Sequence, residues 1–258
     1  MNKLEINKEG TPLRKQQLRL LDILKDFDSI CKKNDIKYWL SSGTLLGAVR
    51  HGGFIPWDDD VDVEMMRKDY LKLLKVMENE NAYDFQTPKT DPFFLPNFAK
   101  LRDKHTRIQE FDVDRNYKYR GLFIDIFQLE KGNSLLMTFT RKLMWNISFI
   151  GKKANTNFSR RLFLFLKSVF YLIIRLSRAI TCILPKNKLR HVYGGIGVPD
   201  MFREEDKIFP LSIIKFEDTL FPAPKDVDFY LKTIYGDYMK LPEDISMDNH
   251  GIKIEYLD

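Results

Sequence analysis

Apolar residues recur along the chain at two spacings, one typical of helices and the other of strands. The helical spacing behind Thr11-Pro12 predicts a helix over roughly 13–33, because threonine is a favoured N-cap and proline a favoured first helical residue. A short apolar run at 36–40 predicts a strand. A second helix is predicted over 67–79, with an apolar face formed by Tyr70, Leu71, Leu74 and Met77.

Later segments predict further strands and one more short helix. Residues 84–110 predict strands separated by loops at Pro88, Pro92 and Pro96. The apolar run 121–129 predicts a buried strand with one acid, Asp125, which is costly there unless it is partnered or bound to metal. A helix is predicted at about 226–235, after a turn marked by two prolines.

The segment 158–184 predicts an amphipathic helix. At helical spacing its basic residues fall within an arc of about 120°, and apolar residues cover most of the remaining circumference. Its longest charge-free run is too short to span a bilayer. The pattern favours a helix lying in a membrane interface, and the alternative is a core helix packed against 135–150. Nucleic-acid binding is disfavoured because the aromatic residues lie on the apolar side.

Composition indicates a folded domain with one unusual block. The chain has 258 residues, of which 44% are hydrophobic and 30% charged, enough for one sizeable core. Residues 131–191 hold 13 Lys or Arg and no acid, whereas the whole chain has 42 basic and 36 acidic residues. Such a block predicts an anionic partner. Two cysteines are too few for a disulfide framework or a cysteine-ligated zinc site, and the first residues predict no secretory signal.

The stretch 41–63, SSGTLLGAVRHGGFIPWDDDVDV, carries the candidate chemistry. A predicted glycine-rich turn is followed by four carboxylates in five residues. On a strand Asp58, Asp60 and Asp62 would share one side and Asp59 would face the other. Three carboxylates suit Mg²⁺ or Mn²⁺, and glycines let backbone N–H groups approach phosphate. A solvated acidic turn leaves the alternation with Val61 and Val63 unexplained, and the pattern lacks the glycine and glutamate of an EF-hand calcium loop.

The run YWLSSGTLLGAVRHGGFIPWDDDVDV resembles the LicD family of phosphotransferases, relatives of fukutin within the nucleotidyltransferase superfamily. Weaker resemblance continues in FAKLRDKHT, GLFIDIF and FEDTLFPAPKDVDFYLKTIYGDYMKLP, and 131–200 is unmatched. The resemblance implies an α+β fold with a nucleotidyltransferase-like mixed sheet flanked by helices. Together with the block of basic charge, it predicts a core at 1–130 with the metal site, a basic and mostly helical insert at 131–200, and the rest of the catalytic domain at 201–258.

The resemblance also implies roles for individual residues. Its catalytic carboxylates are Asp60, Asp62 and Asp125, and the ligands of Mg²⁺ or Mn²⁺ are these three and Asp58. The substrate-binding residues are Gly43, Thr44, Arg50, His51, Trp57 and Lys100. Alternatives stay open: His51 as an exposed turn residue, Asp125 as a partnered structural acid, and Lys100, Arg102 and Lys104 as solvated charges. Asp237 and His250 are weaker site candidates.

The implied reaction is metal-dependent transfer of phosphocholine from CDP-choline to a hydroxyl of a cell-surface glycan, with release of CMP. The alternatives are transfer of ribitol or glycerol phosphate from its CDP-linked donor, a true nucleotidyltransferase that releases pyrophosphate, and a non-catalytic membrane-surface binding protein. The expected partners are a CDP-linked donor, a glycan or lipid-linked glycan acceptor, and an anionic membrane, but no nucleic acid. The expected location is the cytoplasm, peripheral to the inner face of the membrane.

Overall fold

Six helices and ten strands form the part of the chain that the computed structural model describes, which is 6–94, 96, 98–109, 116–133, 157–181, 187–191, 202–242 and 253–257. The helices are α1 (Pro12–Lys33), α2 (Ser42–His51), α3 (Arg67–Met77), α4 (Asn157–Thr181), α5 (Glu205–Ile208) and α6 (Val227–Tyr235). The strands are β1 (Tyr38–Leu40), β2 (Asp62–Met66), β3 (Tyr83–Gln86), β4 (Ala99–Asp103), β5 (Thr106–Gln109), β6 (Phe123–Asn133), β7 (Asn187–His191), β8 (Ser212–Phe216), β9 (Thr219–Ala223) and β10 (Lys253–Tyr256).

A six-stranded sheet in the order β1-β2-β6-β4-β3 forms the centre, with β7 also paired to β6. Strands β2 and β6 are parallel, and the other pairs in this sheet are antiparallel. β2 covers one edge of β6, while β4 pairs with its first residues and β7 with its last. Two further antiparallel pairs lie outside this sheet, the hairpin β8–β9 and the pair β5–β10, whose strands are distant in the sequence. The architecture confirms the predicted α+β class with a mixed sheet.

The two faces of the central sheet have different environments. On one face Val63, Leu101 and Ile126 are buried in the main core, which also takes in the apolar side of α1. The other face bears a smaller cluster of Trp39, Leu129, Leu189 and Ile208 and the polar residues of the candidate site. Helix α1 begins as predicted, because the Thr11 hydroxyl accepts a hydrogen bond from the Arg14 N–H at 3.2 Å behind a proline.

The glycine-rich stretch is helical, which corrects the predicted turn. Residues 42–51 form α2, and Gly52 ends it with a left-handed φ of 72°. A Cβ atom on Gly47 would lie 2.4 Å from the Gly53 carbonyl oxygen. Glycine is therefore needed at 47 for close packing of the helix against the returning chain, and not for a turn.

Three strand, helix and turn predictions were also wrong in detail. The acidic strand begins at Asp62, so 58–61 precede it without regular structure. Helix α3 buries Leu73 and leaves Leu71 exposed, because the inward stripe runs through Tyr70, Leu73 and Met77. Pro222 lies within β9 and not in a turn. His250 and the segment 135–150 lie outside the described residues.

Candidate active site

The register between two parallel strands brings together acids that are far apart in sequence. Asp62, the first residue of β2, is directly paired with Asp125 in β6. The Asp125 N–H donates to the Val61 carbonyl at 2.8 Å, which fixes this register at the start of both strands. Because neighbouring residues in register point to the same side of a sheet, both carboxylates lie on the face opposite the main core.

The loop before β2 is held by side chains of α1. The amide of Gln16 donates to the Asp59 carbonyl and that of Gln17 to the Asp58 carbonyl, each at 2.8 Å. Asp59 is buried, whereas Asp58 and Asp60 are half-buried. The alternation expected for a strand therefore persists in the burial of these residues, although they precede the strand.

The beginning of α2 is fastened to the acidic strand. The Asp62 N–H donates to the Thr44 hydroxyl oxygen at 2.8 Å, and the Ser41 N–H donates to the Asp62 carbonyl at 3.1 Å. A Cβ on Gly43 would lie 2.8 Å from an Asp58 carboxylate oxygen, so the missing side chain lets that carboxylate approach the helix. The partial positive charge of the helix N-terminus thus faces the acidic loop.

Several carboxylates lie close together at this point of the sheet, and one ammonium group opposes their repulsion. Burial raises the pKa of Asp62 well above its usual range, and the charges of Asp60, Asp125 and Asp58 raise it further. The ammonium of Lys100, which opposes this effect, lies 2.9 Å from an Asp125 carboxylate oxygen and 3.1 Å from the Phe123 ring centroid. An additional cation beside Asp62 would relieve the remaining repulsion.

The oxygen-only donor set fits Mg²⁺ or Mn²⁺ in kind. Within the described ranges, no three Asp, Glu, His or Cys side chains form a group that could hold a metal ion by themselves. The arrangement therefore fits an ion that takes one or two carboxylates and completes its shell with phosphate oxygens and water, which is how proteins commonly bind Mg²⁺.

Arg50 and His51 lie in the last turn of α2, about 9 to 12 Å along the helix from Gly43 and Thr44, and Trp57 lies beside His51. An Arg50 Nη atom donates to the Tyr238 carbonyl at 3.0 Å, while burial lowers the pKa of Arg50. His51 is a half-buried helical residue, which corrects the alternative of an exposed turn histidine. Burial and the charge of Arg50 lower the pKa of His51, whose ring lies edge-on to Trp57 with centroids 6.1 Å apart.

Lys100 and Arg102 are buried, so the alternative of solvated charges was wrong for both, and Lys104 alone is exposed. The cause is the pairing of β4 with β6, which brings Lys100 beside Asp125. The guanidinium of Arg102 donates to the Gln86 side chain at 2.6 Å and to the Gly121 carbonyl at 2.9 Å. Of the three, Lys100 is the residue in direct contact with the acidic centre.

A buried network behind Asp62 escaped the sequence analysis. Glu64 accepts hydrogen bonds from Trp39 at 3.1 Å, Arg203 at 3.1 Å and Tyr230 at 2.8 Å. Burial alone would lower the pKa of Arg203, but Glu64 and Tyr230 raise it above its ordinary value. The sequence pattern could have indicated Glu64, because on a strand Asp62 and Glu64 share one face. No local pattern indicated Arg203.

Tyr235, at the end of α6, is a second residue that was missed. Burial raises the pKa of its hydroxyl, and the charges of Asp62, Asp58 and Asp60 raise it further. Tyr235 therefore borders the acidic centre. The neighbouring Asp237 accepts a hydrogen bond from the Lys240 N–H through its backbone carbonyl at 3.2 Å.

Comparisons with known proteins agree with this geometry. Residues 35–172 match the family described as LicD/FKTN/FKRP, nucleotidyltransferase domain. The chain is 30% identical over 264 residues to the lipopolysaccharide cholinephosphotransferase LicD of Haemophilus influenzae, covering 95% of this chain and 98% of that protein. It is 56% identical over 83 residues to the human ribitol 5-phosphate transferase FKRP, covering 30% of this chain and 17% of that protein. It is also 38% identical over 114 residues to mannosyltransferase regulator 4 of Saccharomyces cerevisiae, covering 43% of this chain and 10% of that protein.

Proposed function

The chain belongs to the LicD family and is a phosphotransferase, and from this premise we propose that it moves phosphocholine from CDP-choline to a hydroxyl of a cell-surface glycan. The observation that carries the proposal is the pairing of Asp62 with Asp125 beside the beginning of α2. A helix N-terminus next to clustered carboxylates suits a ligand that brings phosphate together with a divalent cation.

We prefer phosphocholine over a polyol phosphate as the transferred group because the two similarities cover different shares of this chain. The likeness to a cholinephosphotransferase covers 95% of this chain, whereas the likeness to a ribitol phosphate transferase covers 30%. The polyol donors therefore remain the second candidates, with the same site and the same leaving group. A true nucleotidyltransferase would use the same acids but release pyrophosphate.

Of the candidate ligands Asp58, Asp60, Asp62 and Asp125, one or two would hold the Mg²⁺ or Mn²⁺ ion together with phosphate oxygens and water, and the ion when bound would supply positive charge beside the donor's phosphates. The backbone of Gly43 and Thr44 faces the phosphate, and Lys100 lies next to the transferred group. Asp125, oriented by its ion pair with Lys100, accepts the proton of the acceptor hydroxyl. The hydroxyl oxygen then forms the new bond to phosphorus, and the bond to CMP breaks.

Arg50, His51 and Trp57 form a second binding region at the far end of α2. A half-buried guanidinium with a lowered pKa is suited to an anionic or hydrogen-bonding portion of the donor. The acceptor in this proposal is a glycan or lipid-linked glycan at the inner face of the membrane, where the protein associates peripherally and remains cytoplasmic. Nucleic acid is not a partner in this proposal.

The test is CMP release from CDP-choline, CDP-ribitol and CDP-glycerol, and pyrophosphate release from nucleoside triphosphates, each with and without Mg²⁺. CDP-choline with Mg²⁺ is expected to give CMP and to raise the melting temperature. Asp62→Asn is expected to lower CMP release at least about a hundredfold. The same change should stabilise the ligand-free protein near neutral pH, because it removes a buried carboxylate that its neighbours repel.

Asp22→Asn, an exposed α1 carboxylate, is the matched control and should keep full activity. Pyrophosphate without CMP would replace the proposal with nucleotidyl transfer, and CMP from a polyol donor alone would replace choline. Equal activity of wild type and Asp62→Asn would remove the acidic centre from the reaction.

A further inference from the structure

Helix α4 has an exposed apolar side within the part of the chain that the structure describes. Eight large apolar side chains of this helix are 44–78% exposed: Phe158, Leu162, Phe165, Leu166, Val169, Leu172, Ile173 and Leu176. At 100° per residue they fall within an arc of about 120°, which we call the apolar arc. The alternative of a core helix packed against 135–150 stays a prediction, because that segment lies outside the described residues.

The apolar arc is large and continuous. Helix α4 has 25 residues, so it is about 37 Å long. Exposed apolar patches of this extent are rare on monomeric soluble proteins and mark interaction sites. Among the described helices, none combines the length and apolarity needed to cross a membrane. The arc therefore suits contact along a surface.

The charge of α4 indicates which partner binds its apolar arc. The helix sequence contains Arg160, Arg161, Lys167, Arg175 and Arg178 and no acidic residue. Two copies packed arc to arc would gain nothing from these charges, whereas an anionic lipid surface attracts each basic residue. An apolar side that enters the acyl boundary together with basic residues that meet lipid headgroups is the arrangement of an interfacial helix.

We propose that helix α4 lies in an anionic membrane surface through its apolar arc. α4 contacts β6, the strand that carries Asp125. A membrane-bound α4 would thereby hold the acidic centre at a fixed distance from the lipid. The surface assignment stands independently of the transferase reaction, since vesicle binding needs neither donor nor metal.

The experiment measures binding of the full chain to vesicles of phosphatidylcholine mixed with phosphatidylglycerol, and to vesicles of phosphatidylcholine alone. Wild type is expected to bind the anionic vesicles, and the binding should weaken as salt is raised. The triple variant Leu162→Ser, Phe165→Ser, Leu172→Ser should bind about a hundredfold more weakly, because it removes apolar area that enters the lipid.

The matched control is the triple variant Leu71→Ser, Ile213→Ser, Leu220→Ser. These side chains are 42–71% exposed but lie outside α4, so the control should bind as wild type does. Arg161→Glu should weaken binding to anionic vesicles about thirtyfold, whereas Lys215→Glu, an exposed charge on β8, should have little effect. Circular dichroism verifies that each variant is folded.

Phe165→Trp gives an independent measurement. Its fluorescence should shift to the blue and be quenched by brominated lipid if the arc enters the bilayer. Absence of vesicle binding at low salt, or equal losses in the α4 triple variant and its control, would overturn the proposal. A concentration-dependent dimer that the α4 triple variant abolishes, without vesicle binding, would assign the arc to a second copy. CMP release measured in the same preparations reports on the catalytic proposal separately.

Discussion

The Asp62 carboxylate lies beside Asp125, with Asp60 and Asp58 close enough to raise its pKa. Such a group costs folding free energy when it is charged, because burial removes water and the neighbouring carboxylates repel it. The backbone around it is held by Thr44 and Ser41, whose contacts do not neutralise the side chain. A carboxylate whose charge is unfavourable in the folded protein, on a backbone that hydrogen bonds hold in place, is typical of a site that binds a cation and an anion together.

A second residue, Glu217, fastens the chain before the acidic loop. Arg14 donates to both of its oxygens at 2.9 and 2.7 Å, and the Phe54 N–H donates at 3.1 Å. The Arg14 hydrogen bond lowers the pKa of Glu217, with help from Phe54. The folded-state pKa therefore lies below the unfolded value, so this contribution is present at neutral pH and lost as pH falls through the folded pKa.

We predict that Glu217→Gln lowers the free energy of unfolding by about 1 kcal/mol at neutral pH. The difference from wild type should shrink as pH falls below about 4, where the carboxylate becomes protonated in both states. Urea unfolding at several pH values measures this. Asp218→Asn, the exposed neighbour, should match wild type throughout, and a deficit for Glu217→Gln that persists unchanged in acid would contradict the ion-pair explanation.

At the scale of elements, α2 connects the two halves of the candidate site. Its first turn contacts the acidic loop, and its last turn carries Arg50 and His51. Two of its glycines face different neighbours. A Cβ on Gly43 would meet the end of the Asp58 side chain, whereas one on Gly47 would meet the backbone of Gly53 and Ile55. A side chain can rotate away, but packed backbone cannot.

The two glycines should therefore respond differently to alanine. Gly43→Ala is expected to keep stability within about 1 kcal/mol, because alanine favours helix and Asp58 can move, but to raise KM for the donor. Gly47→Ala is expected to lose about 2 kcal/mol or more from overpacking. Thermal unfolding and initial rates measure the two effects, and equal stability losses in the two variants would show that the contact of Gly43 with Asp58 is as rigid as that of Gly47.

At the scale of the whole molecule, buried polar contacts join the first and last parts of the chain. Glu64 in β2 is bonded to Arg203 and to Tyr230 of α6, and Glu217 is bonded to Arg14 of α1. These contacts tie 202–235 to the central sheet and favour a single catalytic domain. The division at 1–130, 131–200 and 201–258 remains a prediction, although β7, within the middle segment, pairs with β6 of the central sheet.

If the two ends fold as one unit, loss of Arg203 should weaken the whole molecule. Arg203→Ala leaves Glu64 buried without its cationic neighbour and should cost about 3 kcal/mol. Urea unfolding should still show one transition with an unchanged slope. Lys232→Ala, which breaks an exposed pair on α6, serves as the control. Two separate transitions in Arg203→Ala would show that 202–235 unfolds independently.

Elements that depend on neighbouring residues were accessible from the sequence. The helical spacing of Leu20, Leu24 and Phe27 predicted α1, and Thr11 as N-cap predicted where it begins. The separate basic and apolar arcs predicted α4. The acids were visible because four carboxylates within five residues have no packing explanation. Helix α2 was missed because its glycines resemble turn residues unless the close approach of Gly53 is known.

By itself, the sequence determined the identity of the acidic residues and the amphipathic character of α4, since periodicity and residue chemistry act between neighbours. The class of fold followed from the resemblance of its motifs to a known family. Only the tertiary structure decided that Asp62 lies beside Asp125, that Lys100 is buried in an ion pair with Asp125, and that Arg203 pairs with Glu64. The partners in these contacts are 25 to 139 positions apart in the sequence. Their register follows from packing of the whole sheet, which no local pattern contains.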